Sequence, residues 1–495
     1  MIKGGEFLIK DQEAKDIFIP EEFGEDQLMM ASATKEFVDK ELDPHRERFE
    51  KKDYKLTEDC MKKAGELGLL GISVPAEYGG MGMPFNTSVL ICDKISGANG
   101  SFSTAFGAHT GIGTLPILLY GDDAQRTKYL PKLASGEWMG CYCLTEPGAG
   151  SDANSGKTKA VLTDDGKHYL ITGQKMWISN AGFADVFIVF ARIEDDKNIT
   201  GFILEKGMEG ITLGEEESKL GLNSSSTRQV FFNDVKIPVE SLLGGRGNGF
   251  KIAMNALNVG RIKLSAAVLE ACRRVISLST NYSNERIQFG IPIAKFGAIK
   301  HKLADMTVRT FAVESATYRA GAEIEKNILR LEAEGVEHQQ AHLKGIEEYA
   351  IECSIVKVLG SETIQYCSDE GIQIYGGMGY SADAPMEAAY RDARIARIYE
   401  GTNEINRMLL VGMILKKAMK GELDIMTPAM KVASDLVSIP SFDKPDDSVL
   451  FEIEKEHLKK LKKAILMCAG KAAEHFAMTI EREQEVLMNL ADMVI

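Results

Sequence analysis

The order in which secondary-structure patterns follow one another is the strongest restriction on this fold. Between residues 26 and 138, apolar side chains recur every three to four positions, which predicts helices. Between 139 and 250 the chain consists of short segments rich in β-branched and aromatic residues, which predicts an antiparallel β domain. Helical periodicity then returns, with long helices expected at 251–283, 296–331 and 341–370. This α–β–α order, without alternating βαβ units, argues against a doubly wound nucleotide-binding fold.

These patterns divide the chain into four predicted regions. They are an N-terminal α-helical domain at 1–138, a middle β domain at 139–250, a C-terminal helical domain at 251–420, and a linker with a helical extension at 421–495. The linker is expected at about 421–450, where "TPAM" (427–430) and "SIPSFDKPDDS" (438–448) supply several prolines and polar residues. Because the last helical pattern, 451–495, stops at "ADMVI" without a cap, we expect the chain to be truncated within a larger C-terminal region.

The composition excludes several classes of protein. At 495 residues the chain exceeds what one hydrophobic core usually supports. Its 58 basic and 72 acidic residues give a net charge of −14, which argues against an extended nucleic-acid-binding surface. The eight cysteines include no C-x-x-C pair, which argues against a zinc site and indicates a reducing compartment. The sequence has neither a membrane-spanning apolar run nor a signal-peptide core, so we expect a cytoplasmic protein.

Three further patterns invite a specific interpretation. "GAGSDA" (148–153) fits the dinucleotide motif G-x-G-x-x-A, but turns and a strand follow it where that motif requires a helix, so we reject it. His338 and His342 are four apart, but Gln339 stands where a zinc protease needs glutamate, so a solvated helix face and no metal site are expected. "EKEHLKKLKKAILMCAG" (454–470) is basic and amphipathic; packing on the protein is favoured, and peripheral membrane contact stays open.

One short segment carries the clearest candidate for catalysis. In "RIYEGTNEINR" (397–407), Glu400 follows the apolar residues Ile398 and Tyr399 and precedes Gly401. Taken alone, the segment favours an exposed loop glutamate. The alternative is a general base whose pKa is raised by desolvation in an apolar setting supplied by Ile398 and Tyr399.

Six segments in a fixed order carry a resemblance to a known family. They are "CYCLTEPGAGSD" (141–152), "QKMWISNAGFADVFIVFAR" (174–192), "KLGLNSSSTRQVFFNDVKIP" (219–238), "ERIQFGIPIAKFGAIKHKLADM" (285–306), "IQIYGGMGY" (372–380) and "RIYEGTNEINR" (397–407). Together they resemble the acyl-CoA dehydrogenase family from about residue 26 to 420, and most closely its very-long-chain branch. The resemblance implies N-terminal helices, a β-barrel-like middle domain, a C-terminal four-helix bundle and a partial helical extension.

The resemblance also implies a reaction. The family uses FAD to oxidise acyl-CoA thioesters to trans-2-enoyl-CoA in fatty acid β-oxidation, with hydride passing from Cβ to flavin N5. Glu400 matches the base that removes the α-proton, and its backbone N–H would help stabilise the negative charge on the thioester oxygen. Some branches place the base immediately before the arginine that matches Arg261, but here that position is Gly260. Gly401 would leave room for the substrate.

The remaining site residues are carried over by position in the family motifs. Those implied to bind FAD are Tyr142, Leu144, Thr145, Gly150, Ser151, Trp177, Ser179, Arg286, Phe289, Gln373, Gly377, Thr402 and Glu404. Those implied to bind substrate are Ser151, Asn258, Arg261 and Gly401. Gln373 and Gly377 are expected in a loop, and Thr402 is expected to cap a helix. Arg286 and Phe289 would reach the FAD of a neighbouring subunit, which implies a homodimer.

The resemblance leaves partners, chain length and some alternatives open. An electron-transfer flavoprotein is the expected electron acceptor. Gly107, Gly111 and Gly113 indicate a deep acyl channel and a long-chain substrate, although glycines that allow close helix packing would look the same. A scaffold subunit with the same fold, in which dehydrogenation is secondary, and an acyl-CoA oxidase remain as alternatives.

Overall fold

The computed structural model describes residues 2–97, 99–436, 445–446 and 448–495. Seven α-helices precede the first strand: α1 Glu25–Phe37, α2 Arg46–Glu50, α3 Tyr54–Glu66, α4 Phe85–Ile95, α5 Gly100–Gly107, α6 Leu115–Tyr120 and α7 Asp123–Ser135. These confirm the helical prediction for this part of the chain. Local chemistry fixes their starts, because Asp53 and Asp122 accept N–H bonds from the first turns of α3 and α7.

The middle region is a sheet with β1 Gly140–Cys143, β2 Lys159–Leu162, β3 His168–Ser179, β4 Val186–Ile193, β5 Thr200–Glu205, β6 Ile211–Glu216, β7 Thr227–Pro238 and β8 Leu242–Leu243. The strand order is β6-β7-β3-β2-β4-β5-β8, and β1 pairs with β4. Most pairs are antiparallel, as expected, but β4 pairs in parallel with both β1 and β2. The reason is topological: β2 and β3 intervene in sequence before the chain returns to β4.

The C-terminal helices are α8 Gly249–Ala266, α9 Leu269–Glu285, α10 Gly297–Ala333, α11 His338–Glu348, α12 Ala350–Tyr375, α13 Gly377–Tyr380, α14 Pro385–Ala393 and α15 Asn403–Met419. A two-stranded hairpin, β9 Ile287–Gln288 and β10 Ile291–Pro292, separates α9 from α10. The single helices expected at 251–283 and at 341–370 are each two helices: α8 and α9, with a break after Ala266, and α11 and α12, with a break at Tyr349. Helices α8, α9, α10 and α12 pack on one another, and α4 packs against α8 and α10.

The extension contains α16 Met426–Leu436, α17 Glu452–Phe476 and α18 Gln484–Val494. Residues 426–436 were expected in a linker, and that expectation is wrong because α16 packs against α17. Most of the remaining linker prediction, at 438–448, lies outside the described residues. Helix α18 packs on α15, where Arg407 binds Asp492 at 2.6 Å. Within the described ranges, no helix is both long enough and apolar enough to cross a membrane.

Candidate functional site

Glu400 occupies a left-handed turn immediately before α15. The φ angles of Glu400 and Gly401 are 59° and 81°, and such a value is strained for glutamate. Thr402 then caps the helix by accepting the N–H of Ile405 at 3.2 Å, as predicted. The strained φ angle of Glu400 and the cap at Thr402 together hold the turn in one conformation. This fixes the direction of the Glu400 side chain.

Three side chains bind the carbonyl oxygens of this turn. Arg261 Nε donates to the Glu400 carbonyl at 3.2 Å. Lys357 Nζ donates to the Gly401 carbonyl at 2.7 Å, and Asn406 Nδ2 donates to the same oxygen at 2.8 Å. Because these three side chains donate to backbone oxygens, their hydrogen bonds hold the loop in place and do not involve the Glu400 carboxylate.

The carboxylate of Glu400 is buried and poorly solvated. Its Oε2 is buried and has no hydrogen-bond partner among the described residues. Burial raises the pKa of Glu400 to about 7, against the opposing positive charges of Arg261 and Lys357. Ile398 was expected to contribute to the apolar setting, but its side chain is 47% exposed and turned outward. Tyr399 lines the same cavity as Glu400.

Gly260 on α8 makes the space that this carboxylate occupies. A Cβ at position 260 would lie 2.3 Å from Glu400 Oε2, which is closer than any real contact. Any larger residue there would have to displace the Glu400 side chain. The two positions at which the family places its base are therefore in contact here, and only one of them can be filled.

Lys357 is a site residue that the sequence analysis missed. It is fully buried on α12, and besides the Gly401 carbonyl it binds Asn403 Oδ1 at 2.8 Å. Burial lowers the pKa of Lys357 to about 7, although the negative charge of Glu400 opposes this. The signal for Lys357 in the sequence was a lone lysine inside the apolar stretch "SIVKVLG" (354–360). A buried lysine in such a stretch requires a specific acceptor.

Glu400 opens into a cavity of about 980 Å³. Helices α14, α5 and α9 supply the largest shares of its wall, with further residues from α2, α4 and α8 and Ser179 from the end of β3. A Cβ at Gly107 or Gly111 would meet no heavy atom within 4 Å, and both residues line the cavity. A Cβ at Gly113 would lie 2.9 Å from the carbonyl carbon of Gly140, so Gly113 serves close packing instead.

Trp177 lies at an irregularity of the sheet. The register of β3 against β7 shifts between Lys175 and Ile178, and the φ angle of Trp177 is 60°. Its indole is 52% exposed in the single chain. A large aromatic side chain held outward by a strained backbone is the arrangement expected where a planar group covers it.

Three glycines near the expected cofactor residues border open space. A Cβ at Gly150, Gly376 or Gly377 would meet no heavy atom within 4 Å. The loop expected at Gln373 and Gly377 is wrong: Gln373 lies in the last turn of α12, and Gly377 begins α13. The helix breaks between them because Gly376 has a φ of 60°.

Strand β1, which contains Tyr142, and the residues Leu144 and Thr145 that follow it are well bonded within the protein. The Leu144 carbonyl accepts from Lys175 Nζ at 3.1 Å, and the Thr145 carbonyl accepts from the Met176 N–H at 2.9 Å. The Tyr142 hydroxyl is buried without a hydrogen-bond partner in the described part of the chain. Because the Leu144 and Thr145 carbonyls already accept hydrogen bonds, a ligand here would bind backbone N–H groups or side chains instead.

The other expected residues differ in their exposure to solvent. Phe289, at the tip of the β9–β10 hairpin, is 94% exposed, and Arg286 precedes the hairpin on the exposed side. Glu404 and Ser151 are also exposed. Asn258 is buried on α8, where its Oδ1 accepts from Arg261 at 2.8 Å.

His338 and His342 are not a fully solvated helix face. His338 Nδ1 lies 2.5 Å from Glu332 Oε1, and burial, aided by the neighbouring His338, lowers the pKa of His342 to about 4. These three residues could offer ligand atoms within 4.8 Å of one another. The group is at the α10–α11 turn, and none of its residues lines the cavity that contains Glu400.

Four descriptions of known protein families match this chain. "Acyl-CoA dehydrogenase, N-terminal domain" matches residues 24–137, the middle domain of the same family matches 141–235, and a C-terminal domain matches 247–415. A second "Acyl-CoA dehydrogenase, C-terminal domain" description matches 460–495.

Individual proteins with similar sequences or structures carry the same name. A probable acyl-CoA dehydrogenase of Bacillus subtilis is 46% identical over 492 residues, which are 99% of this chain and 82% of that protein. A mitochondrial very long-chain specific acyl-CoA dehydrogenase of Macaca fascicularis is 41% identical over 71% of this chain and 52% of its own length. A crystal structure of an acyl-CoA dehydrogenase complexed with FAD, from Bacillus anthracis, matches with a TM-score of 0.95 and 44% identity, covering 100% of this chain and 83% of that chain.

Proposed function

Because this chain belongs to the acyl-CoA dehydrogenase family, we propose that it catalyses the FAD-dependent α,β-dehydrogenation of long-chain acyl-CoA, with Glu400 as the base that removes the α-proton. The observation that supports this most directly is the buried Glu400 Oε2, which has no hydrogen-bond partner among the described residues and lies at a cavity of about 980 Å³. The proposed product is trans-2-enoyl-CoA, and fatty acid β-oxidation is the pathway in which this reaction belongs.

Several features of the chain fit FAD. Trp177 presents a half-exposed indole, and Gly150, Gly376 and Gly377 border open space that a side chain would otherwise fill. The residues that would hold the cofactor are those identified by position: Tyr142, Leu144, Thr145, Gly150, Ser151, Trp177, Ser179, Arg286, Phe289, Gln373, Gly377, Thr402 and Glu404. When bound, FAD supplies the acceptor for the hydride that leaves Cβ.

Glu400 combines two roles in the proposed mechanism. An α-proton beside a thioester is weakly acidic, so the base must have a raised pKa and the developing negative charge on the oxygen must be stabilised. The pKa of about 7 meets the first requirement. The Glu400 N–H has no acceptor among the described residues, so it is free to donate to the thioester oxygen.

The rest of the substrate site follows from the contacts of α8. Arg261 holds the Glu400 carbonyl and the Asn258 side chain, and both residues belong to the wall proposed for the pantetheine arm. Gly107 and Gly111 leave space in the lining of the cavity, which supports a long acyl chain. Ser151 and Gly401 complete the proposed substrate contacts.

The decisive experiment compares the wild-type protein with Glu400→Gln over a series of acyl-CoA lengths. The variant should retain FAD and bind acyl-CoA but lose most turnover, because glutamine cannot accept the proton. Reduction of the flavin by palmitoyl-CoA without oxygen is the readout, and Glu422→Gln on the exposed surface is the matched control.

Three outcomes would contradict parts of the proposal. An active Glu400→Gln would remove Glu400 from the mechanism. Turnover of butyryl-CoA without turnover of palmitoyl-CoA would overturn the long-chain assignment. Release of peroxide without an added acceptor would identify an oxidase in place of a dehydrogenase.

Two partners are part of the proposal. Family membership supports an electron-transfer flavoprotein as the acceptor of the electrons. The exposed Phe289 and neighbouring Arg286 support a homodimer in which each subunit reaches the cofactor of the other. Sedimentation of the holoenzyme and of Phe289→Ser would test the second partner.

A further inference from the structure

Three lysines are less than a tenth exposed in the described part of the chain, and one of them has no acceptor. Lys175 binds Glu146 at 2.6 Å, and Lys357 binds the Gly401 carbonyl at 2.7 Å. Lys263, which is 6% exposed, makes no hydrogen bond or ion pair with any described residue. The exception is informative because burying an unpaired ammonium costs several kcal/mol.

Lys263 lines the cavity that contains Glu400. It lies on α8 three residues after Gly260, and therefore about 4.5 Å further along the helix axis. Positions three apart share a helix face, and Gly260 faces the Glu400 carboxylate. The acyl chain proposed to start at Glu400 would therefore pass close to Lys263.

The wall around Lys263 offers little compensation for its charge. The cavity lining includes the apolar Leu264 and Ala267 after Lys263 in the chain. Lys263 also lines a small second pocket with Ser88, Thr110 and Thr114, and none of these three hydroxyls is hydrogen-bonded to it. Burial lowers the pKa of Lys263, and the titratable group that opposes this is the Cys92 thiol. Burial in turn raises the pKa of that thiol, so Cys92 does not supply a carboxylate-like partner.

The ligand in the cavity determines whether the Lys263 ammonium has a hydrogen-bond acceptor. Water can hydrate Lys263 while the cavity is open, because a water molecule needs only a few polar partners. A plain alkyl chain would displace that water and leave the ammonium without an acceptor. A chain that carries an oxygen acceptor would replace the lost hydrogen bond.

We propose that Lys263 selects the acyl group, binding a carboxylate carried at the far end of the acyl chain, so that CoA monothioesters of dicarboxylic acids are preferred over fatty acyl-CoA of equal length. The proposal rests on the acyl-CoA dehydrogenase function proposed above.

The test measures kcat/KM for matched pairs of substrates on the FAD-loaded enzyme. The pairs are adipoyl- and hexanoyl-CoA, suberoyl- and octanoyl-CoA, sebacoyl- and decanoyl-CoA, and dodecanedioyl- and dodecanoyl-CoA. At the length that brings the carboxylate to Lys263, the wild-type ratio should favour the dicarboxylic substrate. In Lys263→Met that ratio should fall about tenfold or more, the size expected for a hydrogen bond to a charged group.

Controls separate this proposal from the function on which it rests. Lys344→Met, at an exposed position of α11, should leave every ratio unchanged. If Lys263→Met oxidises fatty acyl-CoA and its ratios equal those of the wild type, the subsite is refuted while the dehydrogenase function stands. If the wild type oxidises no acyl-CoA at all, the proposed function fails first.

A binding measurement covers the case in which Lys263→Met does not fold. Titration of Glu400→Gln with the same four pairs of dicarboxylic and fatty acyl-CoA, followed by the flavin spectrum, compares affinities without turnover. Tighter binding of a dicarboxylic ligand at one of the tested lengths supports the proposal. Equal or weaker binding at every length shows that Lys263 is only hydrated, and overturns it.

Discussion

Glu146 and Glu400 each have a lysine nearby, but their pKa values are shifted in opposite directions. In the β domain, Lys175 binds the Glu146 carboxylate at 2.6 Å. Burial by itself would raise the pKa of Glu146, but Lys175 and backbone N–H donors together lower it. At the base loop, Lys357 binds the Gly401 carbonyl instead, and burial raises the pKa of Glu400 to about 7.

The difference between the two sites is the atom that receives the hydrogen bonds. Glu146 also accepts the N–H groups of Lys157 and Thr158, at 2.6 and 3.1 Å, which stabilise its charged form. Glu400 Oε2 accepts nothing from the described residues, while the loop around it is fully bonded through its carbonyls. The same residue type therefore acts as a structural anion in one place and as a candidate base in the other.

The largest expected effect is at the structural pair. Lys175→Met would leave the charged Glu146 buried without its main partner, so the free energy of unfolding should fall by about 3–5 kcal/mol. Chemical denaturation of the holoenzyme measures this loss. Lys175→Met with Glu146→Gln should recover part of the stability, and failure to recover any would refute the pairing as the cause.

A smaller effect is expected when a side chain at position 260 fills the space beside the Glu400 carboxylate. In Gly260→Ala the added Cβ would lie 2.3 Å from Glu400 Oε2, so the carboxylate must move. We expect kcat to fall about a hundredfold, because small displacements of catalytic groups have effects of this size. FAD content should stay normal, since Gly260 is not among the residues proposed to bind it. An unchanged kcat would show that the carboxylate reaches the substrate from another position.

The smallest expected effect is a shift in pH dependence. Glu400 must be deprotonated to act as a base, so activity should fall as the pH drops through about 7. In Lys357→Met a positive charge that lowers the pKa of Glu400 is removed. The acidic limb of the pH profile, where activity falls, should therefore move to higher pH by about one unit. The pH profile of kcat/KM measures the shift, and Lys357→Arg should restore part of it.

A movement of that limb to lower pH would contradict the assignment of Lys357. A change in stability without any shift would show that Lys357 only holds the loop. The comparison with Glu146 would then rest on hydrogen bonding alone, without a contribution from the nearby charge.

Features that depend on residues close together in sequence could be predicted without the structure. The α–β–α order, the helix near 297–333 and the cap at Thr402 depend on periodicity and on hydrogen bonds within one turn. Periodicity did not reveal the break at Tyr349 between α11 and α12. The motif containing Glu400 was recognisable for a similar reason, since its family match is local. Ile398 was misread because local sequence does not say to which side of a turn a residue points.

The remaining features depend on residues that are distant in sequence. Gly260 meets Glu400 across 140 positions, and Lys357 reaches Gly401 across 44. Burial without an acceptor, as for Lys263, is a property of the surrounding surfaces and has no signature in the chain. Sequence by itself therefore determined the order of the elements and the identity of the candidate base. Tertiary structure decided the acidity of that base and the shape of its cavity, because desolvation and hydrogen bonding depend on which distant groups are packed together.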